Sequence, residues 1–466
     1  MFPVRCTGTA QTQRYGAVPG VADDVYNWTQ VETDASRVGD IRTSILTDLG
    51  DNWLLCNGEA LSATDYPDLY AILQEANPPH QATWSAKKEL WDANGYLAPI
   101  NDMAYGEGYY VAVGQEKPYN GGEDAEILKI SVTTSLDGSW SGKASLYSDY
   151  PNAAATSVAY GNGMFVAGGY WRDGDDPWTS YALIYYADDP SGSWTRKNLW
   201  SGTDNEDRIA GVVYGNGTWV VAGESRNGAN YSARIAYTTD PAGSWTIKDV
   251  YTGTSKSRFK IKSIAYADGC WVVGGQYYDG SQYYARVMYA TSLTGTWSTV
   301  DLWSSGTQYC GVTDITYADG TWAVVGHYQV DSNNRGAKIA YSESLDGEWT
   351  TVVPNATAKF SVSKPISIAY SCGLWAIGGQ NDSSLYGVVA FAPTPGGNWT
   401  SKDMFSYNST NTYVARIKSV NGAWIAMGNE YYSNYGNGIF VTHSTVLPTI
   451  TTEGAYCYIK GRKGAI

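Results

Sequence analysis

The stretch IAYADGCWVVGG at residues 264–275 decides the architecture of this chain, because the sequence contains six further copies of it. Each copy has an apolar strand that reaches Tyr266 or its counterpart, a short turn with Asn-Gly or Asp-Gly in most copies, and a second apolar strand. Asn-Gly and Asp-Gly supply the positive φ angles that tight β-hairpins need. The counterparts of Tyr266 are spaced 49 to 55 residues apart. The other copies are MAYGEGYYVAVG (103–114), VAYGNGMFVAGG (158–169), VVYGNGTWVVAG (212–223), ITYADGTWAVVG (315–326), IAYSCGLWAIGG (368–379) and IKSVNGAWIAMG (417–428).

Two more predicted strands follow each hairpin after a variable loop. The third strand is exemplified by ARIAYTT at 233–239, and the fourth opens with Trp, as in GSWTIKDV at 243–250. Four antiparallel strands repeated about every 50 residues are typical of a β-propeller. We therefore predict an all-β fold in which residues 82–448 form a seven-bladed β-propeller.

The last repeat lacks its fourth strand. No Trp-led strand follows GIFVTHST at 438–445, whereas ATWSAKKELW at 82–91 precedes the first repeat and matches GSWTRKNLW at 192–200. We predict that residues 82–91 form the outer strand of the last blade, so that strands from both ends of the repeat region close the ring. Such closure removes an open sheet edge.

Composition excludes several classes of protein. The chain has 466 residues and a formal net charge of −14, with 39 Tyr and 16% charged residues. A disordered chain would combine high charge with few aromatic residues, and the acidic balance argues against nucleic acid as a partner. No apolar run approaches the ~18 residues of a membrane-spanning helix, and the first residues lack the apolar core of a secretory signal. The six cysteines contain no CxxC pair of the kind that holds zinc.

Both ends of the chain carry motifs outside the repeats. NWLLCNG stands at 52–58, YPDLYAIL at 66–73 and YIK at 458–460. In this order the motifs resemble the collar domain of bacteriophage tail fibres, in which a strand and turn precede a helix and a terminal strand. The chain departs from that family at Asp51-Asn52, where the family often has Pro-Thr-Gly, and the family's Pro-rich segment is absent or displaced.

The resemblance implies a small discontinuous α+β tail-collar-like domain, residues 34–81 and 449–466, into which the propeller is inserted. The local sequence agrees with the helix, because Ser62 or Thr64 can cap it and Pro67 suits its first turn. Residues 1–33 are a separate N-terminal lead segment, which is either an extended strand that enters a neighbouring subunit or a disordered end.

The variable loops of the propeller are predicted to face away from the collar-like domain. The chain enters the ring at the start of a fourth strand and leaves at the end of a third, and both points lie on the side of the tight turns. The opposite side, which we call the loop face, carries the loops between second and third strands and the linkers between blades.

The segments of the loop face are rich in Tyr, Trp, Asn, Asp and Gly. Aromatic rings present flat contact area that can stack on sugars, and loops on a rigid scaffold commonly carry binding sites. The predicted ligand-binding residues are Trp171, Trp178, Tyr181, Tyr277, Tyr278, Tyr283, Tyr284, Tyr431, Tyr432 and Tyr435.

One of these loops is acidic. Asp173, Asp175 and Asp176 predict a solvated loop, with a weak Ca²⁺ site as an alternative because hard cations prefer oxygen ligands. A catalytic carboxylate pair is a second alternative, and no other cofactor is expected. SLDGSW (135–140) and SLDGEW (344–349) resemble the Asp-box turn of sialidase-type propellers, which is structural, and no arginine cluster of the sialidase pattern is visible in the sequence.

Together these features predict a bacteriophage tail or baseplate protein, located in the virion, that adheres to the host and is not an enzyme. The propeller would bind a host cell-surface glycan or cell-wall polymer without entering the membrane. The collar-like domain would contact other virion tail or baseplate proteins, as a homo-oligomer. A polysaccharide-degrading tail-spike glycosidase and a purely structural virion spoke protein remain as alternatives.

Overall fold

The computed structural model of the protein describes most of the repeat region and short parts of both ends. The described residues are 41–44, 53–55, 66, 69, 73, 79, 82, 84–93, 95–118, 126–142, 152–172, 179–203, 206–306, 310–329, 335–354, 363–371, 373–381, 385–405, 411–421, 423–432, 435–444 and 456–460.

The repeats form the seven blades that the sequence predicts. Each blade is an antiparallel sheet of four principal strands, and β4 adds a short fifth strand to the first blade. The innermost strands β5, β9, β13, β17, β21, β25 and β29 contact one another in a closed cycle. The prediction of a seven-bladed β-propeller is therefore confirmed. The strands are β1 Ile41–Ser44, β2 Trp53–Leu55, β3 Lys88–Ala93, β4 Gly95–Leu97, β5 Ile100–Gly106, β6 Tyr109–Pro118, β7 Ile127–Thr133, β8 Ser141–Gly142, β9 Ala153–Gly161, β10 Met164–Arg172, β11 Thr179–Ala187, β12 Thr195–Thr203, β13 Arg208–Gly215, β14 Thr218–Asn227, β15 Asn230–Thr238, β16 Thr246–Thr254, β17 Arg258–Ala267, β18 Cys270–Tyr278, β19 Tyr283–Ala290, β20 Ser298–Ser305, β21 Gly311–Ala318, β22 Thr321–Gln329, β23 Arg335–Ser342, β24 Thr350–Val352, β25 Ser363–Ser371, β26 Leu374–Asn381, β27 Tyr386–Ala392, β28 Thr400–Phe405, β29 Asn411–Val420, β30 Ala423–Tyr432, β31 Tyr435–Ser444 and β32 Tyr456–Lys460.

The seventh blade is completed by a strand from upstream of the first. β3 pairs with β31 in an antiparallel register that sets Lys88 opposite Phe440. The strand begins at Lys88, later than the predicted span of 82–91, and Trp84 lies buried before it just as Trp194 precedes β12. Because this outer strand and its three inner neighbours come from opposite ends of the repeat region, their hydrogen bonds tie those ends together.

Tight turns join the first and second strands of the blades. Asn162 and Gly163 have φ angles of 47° and 73°, and Asp268 and Gly269 have φ angles of 48° and 71°. Positive φ at both central residues defines the type I′ turn, whose twist matches that of the flanking strands. The Asn-Gly and Asp-Gly pairs of the repeats thus set the hairpin register.

The recurring tyrosine packs between neighbouring blades. A Cβ atom placed on Gly161 would lie only 2.3 Å from the ring of Tyr214, and one on Gly215 would lie 2.3 Å from the ring of Tyr266. The glycines that follow Tyr160 and Tyr214 therefore leave room for the tyrosine ring of the next blade. Tyr266 also lies against Trp271 of the second strand, with ring centroids 4.3 Å apart. The tyrosines are packing residues of the ring.

Every innermost strand contains a β-bulge near its middle. The residue that follows the bulge is polar in all blades but the third, where it is Gly211. We call these side chains the polar belt, which consists of Asp102, Ser157, Ser263, Asp314, Ser367 and Arg416.

Two buried carboxylates organise the polar belt. Asp314 accepts hydrogen bonds from Ser263 Oγ at 2.8 Å and Ser367 Oγ at 3.0 Å, and it pairs with Arg416 Nη1 at 2.8 Å. Asp102 accepts a hydrogen bond from Ser157 Oγ at 3.0 Å. Blades one, two, four, five, six and seven are thereby linked by side chains at the axis.

The cations of blade seven keep Asp102 ionised. Burial by itself would raise the pKa of Asp102, but Lys418 Nζ at 2.6 Å and the guanidinium of Arg416 hold that pKa below its ordinary value. On the tight-turn side of the belt, the central channel widens into a cavity of about 560 Å³ lined by belt residues and repeat tyrosines.

A small sheet joins segments from the two ends of the chain. Its order is β1-β32-β2, with Ile41 opposite Ile459 on one edge and Leu54 opposite Ile459 on the other. The lead segment 1–33 and almost all of the predicted helix at 66–73 lie outside the described residues, so the collar-like assignment stays a prediction. In the part of the chain that the structure covers, no helix has the length and apolar character needed to cross a bilayer.

We expect Asp314→Ala to lower the free energy of unfolding by about 3–5 kcal/mol, because it leaves the Arg416 guanidinium in the interior without its closest carboxylate. Asp249→Ala is the control, since Asp249 pairs with Arg234 at the exposed edge of blade three and such pairs contribute less than about 1 kcal/mol. Urea denaturation measures both. Equal losses in the two variants would show that the polar belt does not stabilise the ring.

Candidate functional site

Two of the predicted aromatic residues in blade two stack on each other. Trp171 and Tyr181 are opposite one another in the register of β10 and β11, and their rings lie 4.7 Å apart at an angle of 16°. The guanidinium carbon of Arg196 lies 5.5 Å from the Trp171 ring centroid. Both aromatic residues are half-buried. Trp178 lies outside the described residues.

The tyrosines of blade four form a second aromatic group on the loop face. Tyr278 and Tyr283 stack with centroids 4.4 Å apart and an angle of 27°, while Tyr277 and Tyr284 lie 5.8 Å apart. The guanidinium of Arg286 covers the Tyr277 ring at 3.4 Å. Tyr277 is therefore packed on a cation, whereas the Tyr278–Tyr283 pair offers the larger stacked surface.

The turn beyond Tyr278 is held by one carboxylate. Asp279 accepts hydrogen bonds from the backbone amides of Ser281 and Gln282, both at 2.7 Å, and from Tyr284 Oη at 3.0 Å. The hydrogen bonds from Gln282 and Ser281 hold the pKa of Asp279 well below its ordinary value. This carboxylate thus shapes the loop that presents the tyrosines.

The remaining predicted residues are only partly placed. Tyr431 and Tyr432 end β30 and Tyr435 begins β31, with Tyr432 opposite Tyr435, and their side chains are outside the described part. Asp173, Asp175 and Asp176 also lie outside it, so the weak Ca²⁺ site stays a prediction. Within the described ranges, no group of three or more His, Cys, Asp or Glu side chains could hold a metal ion.

A charged group on the loop face was not predicted from the sequence. It lies where the first strands of blades three and four begin and where the second strand of blade three ends. We call it the charged cluster, which consists of Glu206, Arg208, Glu224, Arg226, Arg258, Lys260 and Lys262.

Ion pairs between neighbouring blades hold the charged cluster together. Arg208 pairs with the buried Glu224 within blade three, and Lys260 Nζ of blade four lies 2.9 Å from Glu206 Oε2 and 3.8 Å from Glu224 Oε2. Burial would raise the pKa of Glu224, but Arg208, Lys262 and Lys260 outweigh it and lower that pKa. Glu224 is therefore ionised at neutral pH.

The charged cluster is continuous with the tyrosines of blade four. The guanidinium carbon of Arg258 lies 5.4 Å from the Tyr231 ring centroid and 5.9 Å from that of Tyr278, and Arg226 covers Tyr231 at 5.0 Å. A cation that lies over the face of an aromatic ring is attracted to the negative charge of that face. One surface therefore combines stacked tyrosines, guanidinium groups and carboxylates.

Arg208, Arg258 and Lys260 lie in two linkers of the sequence, SGTDNEDR (201–208) and TSKSRFK (254–260), and Arg226 lies in the loop ESRNGANYS (224–232). Their pairing was missed because it depends on the side-by-side packing of two inner strands about 50 residues apart, as in any propeller of this repeat length. The available signal was the run of charges at the start of β13 and β17. The prediction concerned only the sialidase pattern of arginines, and it did not anticipate that Arg208, Arg226 and Arg258 belong to one charged cluster.

Blade two contributes a further polar contact on the same side of the ring. Tyr170 Oη donates a hydrogen bond to Glu126 Oε2 at 2.7 Å, and Arg172 lies beside that carboxylate at 3.7 Å. Burial, together with the charge of Glu126, raises the pKa of Tyr170. The phenol is therefore neutral and acts as a hydrogen-bond donor.

Asp207 lies beneath the charged cluster and is 1% exposed. Ser180 Oγ donates to its Oδ2 at 3.2 Å, and its own backbone amide donates to Ser180 Oγ at 2.9 Å. Burial raises the pKa of Asp207 to about 6, although the hydrogen bonds oppose that rise.

Comparison with known proteins gives similarity at the level of the fold. No protein-family model matches the chain, and no curated protein matches its sequence. Among solved structures, YCF48 bound to D1 peptide is 14% identical with a TM-score of 0.48, covering 78% of this chain and 94% of its own. An α-L-arabinanase from Penicillium chrysogenum complexed with arabinobiose is 10% identical with a TM-score of 0.46, covering 78% and 99%. A Trypanosoma rangeli sialidase in complex with sialic acid is 11% identical with a TM-score of 0.44, covering 77% and 59%.

These structures correct one sequence-based prediction. The sequence predicts a protein that is not an enzyme, yet the similar structures include a sialidase, an arabinanase and an α-L-arabinofuranosidase. That prediction is wrong, because the propeller fold is shared with enzymes that bear these names. At 10–14% identity the similarity concerns the fold and assigns no catalytic residue to this chain.

The pKa of Asp207 predicts a pH-dependent term in stability. Because the folded protein binds this proton more tightly than the unfolded chain does, the stabilisation is fully present below the ordinary pKa of 3.8 and is lost as the pH rises through about 6. Between pH 4 and pH 7.5, we expect wild type to lose about 1–3 kcal/mol of unfolding free energy relative to Asp207→Asn.

Urea denaturation of both proteins at the two pH values measures this difference, and any pH-independent cost of the amide cancels. Asp301→Asn serves as the control, because Asp301 pairs with Arg286 at the exposed edge of blade four. Parallel pH profiles for wild type and Asp207→Asn would refute the assignment.

Proposed function

We propose that this protein is a bacteriophage tail or baseplate protein that attaches the virion to its host by binding surface glycans on the loop face of its propeller. The observation that carries the proposal is the continuous surface formed by the Tyr278–Tyr283 pair and the charged cluster. Rings provide flat apolar contact, and charged side chains orient the polar groups of a sugar. The rigid ring holds both in fixed positions.

The virion assignment is supported by the two chain ends. The motifs that resemble the tail-fibre collar lie in the same segments as β1, β2 and β32, and these strands share one sheet. In the proposal this part joins other tail or baseplate proteins, and the protein acts as a homo-oligomer in the virion. Several propellers on one particle would turn modest affinity for a glycan into firm attachment.

The charged cluster also favours a second candidate, a glycosidase that trims the same glycans. Glu206 and Glu224 both approach Lys260 Nζ, at 2.9 Å and 3.8 Å. Their carboxylate oxygens are therefore at most about 7 Å apart, which is below the upper limit of ~9.5 Å for the acid pairs of glycoside hydrolases. Glu206 is the more exposed of the two, and Glu224 is ionised.

Binding is tested by screening the purified protein on a glycan array and repeating the best signal with Tyr278→Ala/Tyr283→Ala. We expect about tenfold weaker binding, because two stacked rings are lost. Tyr109→Ala, in the first hairpin of blade one and thus on the tight-turn side, is the control and should bind like wild type. Failure of wild type to bind any glycan, or equal binding by the double variant, would contradict the proposal.

Hydrolysis is tested by incubating the polysaccharide that binds with wild type and with Glu206→Gln and measuring new reducing ends. If the protein is a glycosidase, wild type releases them and Glu206→Gln is at least about 100-fold slower, as expected for loss of a general acid or base. Glu343→Gln, in the turn between the third and fourth strands of blade five, should match wild type. Absence of product with wild type would eliminate the second candidate.

A further inference from the structure

Lys262 has an unusual place on the innermost strand of blade four. It is the extra residue of the β-bulge between Ile261 and Ser263, and its side chain is exposed while both neighbours are buried. The flanks of an innermost strand are packed on other strands, so an exposed side chain there opens into the central channel.

The equivalent bulge residues of blades one and two are tied to the protein by hydrogen bonds. Asn101 Nδ2 donates to the Ala155 carbonyl at 2.8 Å, and Thr156 Oγ1 donates to the Ile209 carbonyl at 2.7 Å. Lys262 makes no hydrogen bond or close ion pair with any residue that the structure describes. Its three donors therefore remain available for a ligand.

The surroundings of Lys262 carry excess positive charge in an acidic protein. The charged cluster contains five cations and two carboxylates, and the buried Asp207 beneath it adds one more carboxyl group. The whole chain has a net charge of −14. Local reversal of the overall charge attracts anions to this point of the loop face.

The positive charge of the Lys262 ammonium group is not fully balanced by nearby carboxylates. Partial loss of water lowers its pKa to about 8, and the charges of Arg208 on β13 and Lys260 on β17 act in the same direction. Glu224 on β14 and Glu206 before β13 oppose the shift without cancelling it. A bound anion would supply the missing negative charge and restore the pKa towards its ordinary value.

We propose that Lys262, with Arg208 and Lys260 beside it, binds an anionic substituent of the glycan, a carboxylate or a phosphate, at the loop-face mouth of the central channel. The inference rests on the proposed function, because it names the chemical class of glycan that the loop face takes. The Tyr278–Tyr283 pair would hold the neighbouring sugar rings, with Arg258 between this pair and the anion site.

The site is tested first without any sugar. Lysines are labelled by reductive ¹³C-methylation, the Lys262 resonance is identified by its absence from Lys262→Gln, and its pKa is measured in chloride, phosphate and acetate at constant ionic strength. We expect phosphate, acetate or both to raise the Lys262 pKa by at least about half a unit, as a nearby opposite charge does. Lys256, an exposed lysine in the turn after β16, is the internal control and should not move. An unchanged Lys262 pKa in all three salts would overturn the proposal.

The glycan class is tested by calorimetry with three oligomers, namely oligogalacturonate for carboxylates, glycerol-phosphate oligomers for phosphates and a neutral dextran oligomer. We expect one acidic oligomer to bind best, to bind about tenfold more weakly to Lys262→Gln, and to bind Lys256→Gln like wild type. Its affinity should also fall as the pH rises from 7 to 9, while Lys262 loses its proton.

The outcomes separate this inference from the proposed function. Tight binding of the neutral oligomer that Lys262→Gln does not weaken, without preference for an acidic one, would overturn the anion site and leave glycan binding standing. Absence of binding to any sugar, including those of the glycan array, would remove the proposed function, whereas the salt titration would still judge the anion site by itself.

Discussion

One guanidinium at the axis constrains the whole ring. Arg416 of blade seven lies 2.8 Å from a carboxylate oxygen of Asp314 in blade five and 3.8 Å from one of Asp102 in blade one. Charges in the interior are tolerated only when they are paired and hydrogen-bonded. The serines of the neighbouring blades donate hydrogen bonds to these carboxylates. The innermost strands must therefore lie at the distances that these hydrogen bonds allow. The channel, and with it the position of Lys262, follows from this arrangement.

The fold was readable from the sequence because its determinants are local and recur. Most hairpins are specified by an Asn-Gly or Asp-Gly turn, and all blades but the seventh by one Tyr and one Trp at fixed places in the repeat. Ser419, which stands where other blades have Tyr, shows how a departure is accommodated. Its Oγ lies 2.9 Å from that of Ser371 in the preceding blade, and Ser371 stands where blades one to five have Gly or Ala. Repetition made such local signals decisive, whereas the start of β3 was misjudged because a strand pattern does not show where pairing begins.

The candidate binding surface could be predicted only in part from the sequence, for a physical reason. Aromatic residues such as Tyr278 and Tyr283 can be recognised in the sequence of a loop, and in the structure the rings of these two stack on each other. The charged cluster forms because the inner strands of blades three and four lie side by side. The excess positive charge at Lys262 depends on which of the neighbouring cations form ion pairs with carboxylates. Neither property belongs to any short stretch of sequence. Tyr277 was predicted to bind the ligand, but one face of its ring is covered by the guanidinium of Arg286.

The borrowed strand has a mechanical consequence. The start of β3 and the end of β31 are neighbours at the same end of an antiparallel pair, with Ser85 N bonded to the Thr442 carbonyl. Tension on the two connections therefore pulls this pair in one direction and shares the load between two covalent paths. The hydrogen bonds between β31 and β30 run across the strands, so a pull along β31 loads many of them at once instead of peeling them one by one. The ladder between β30 and β31 thereby resists a pull on both chain connections of the seventh blade.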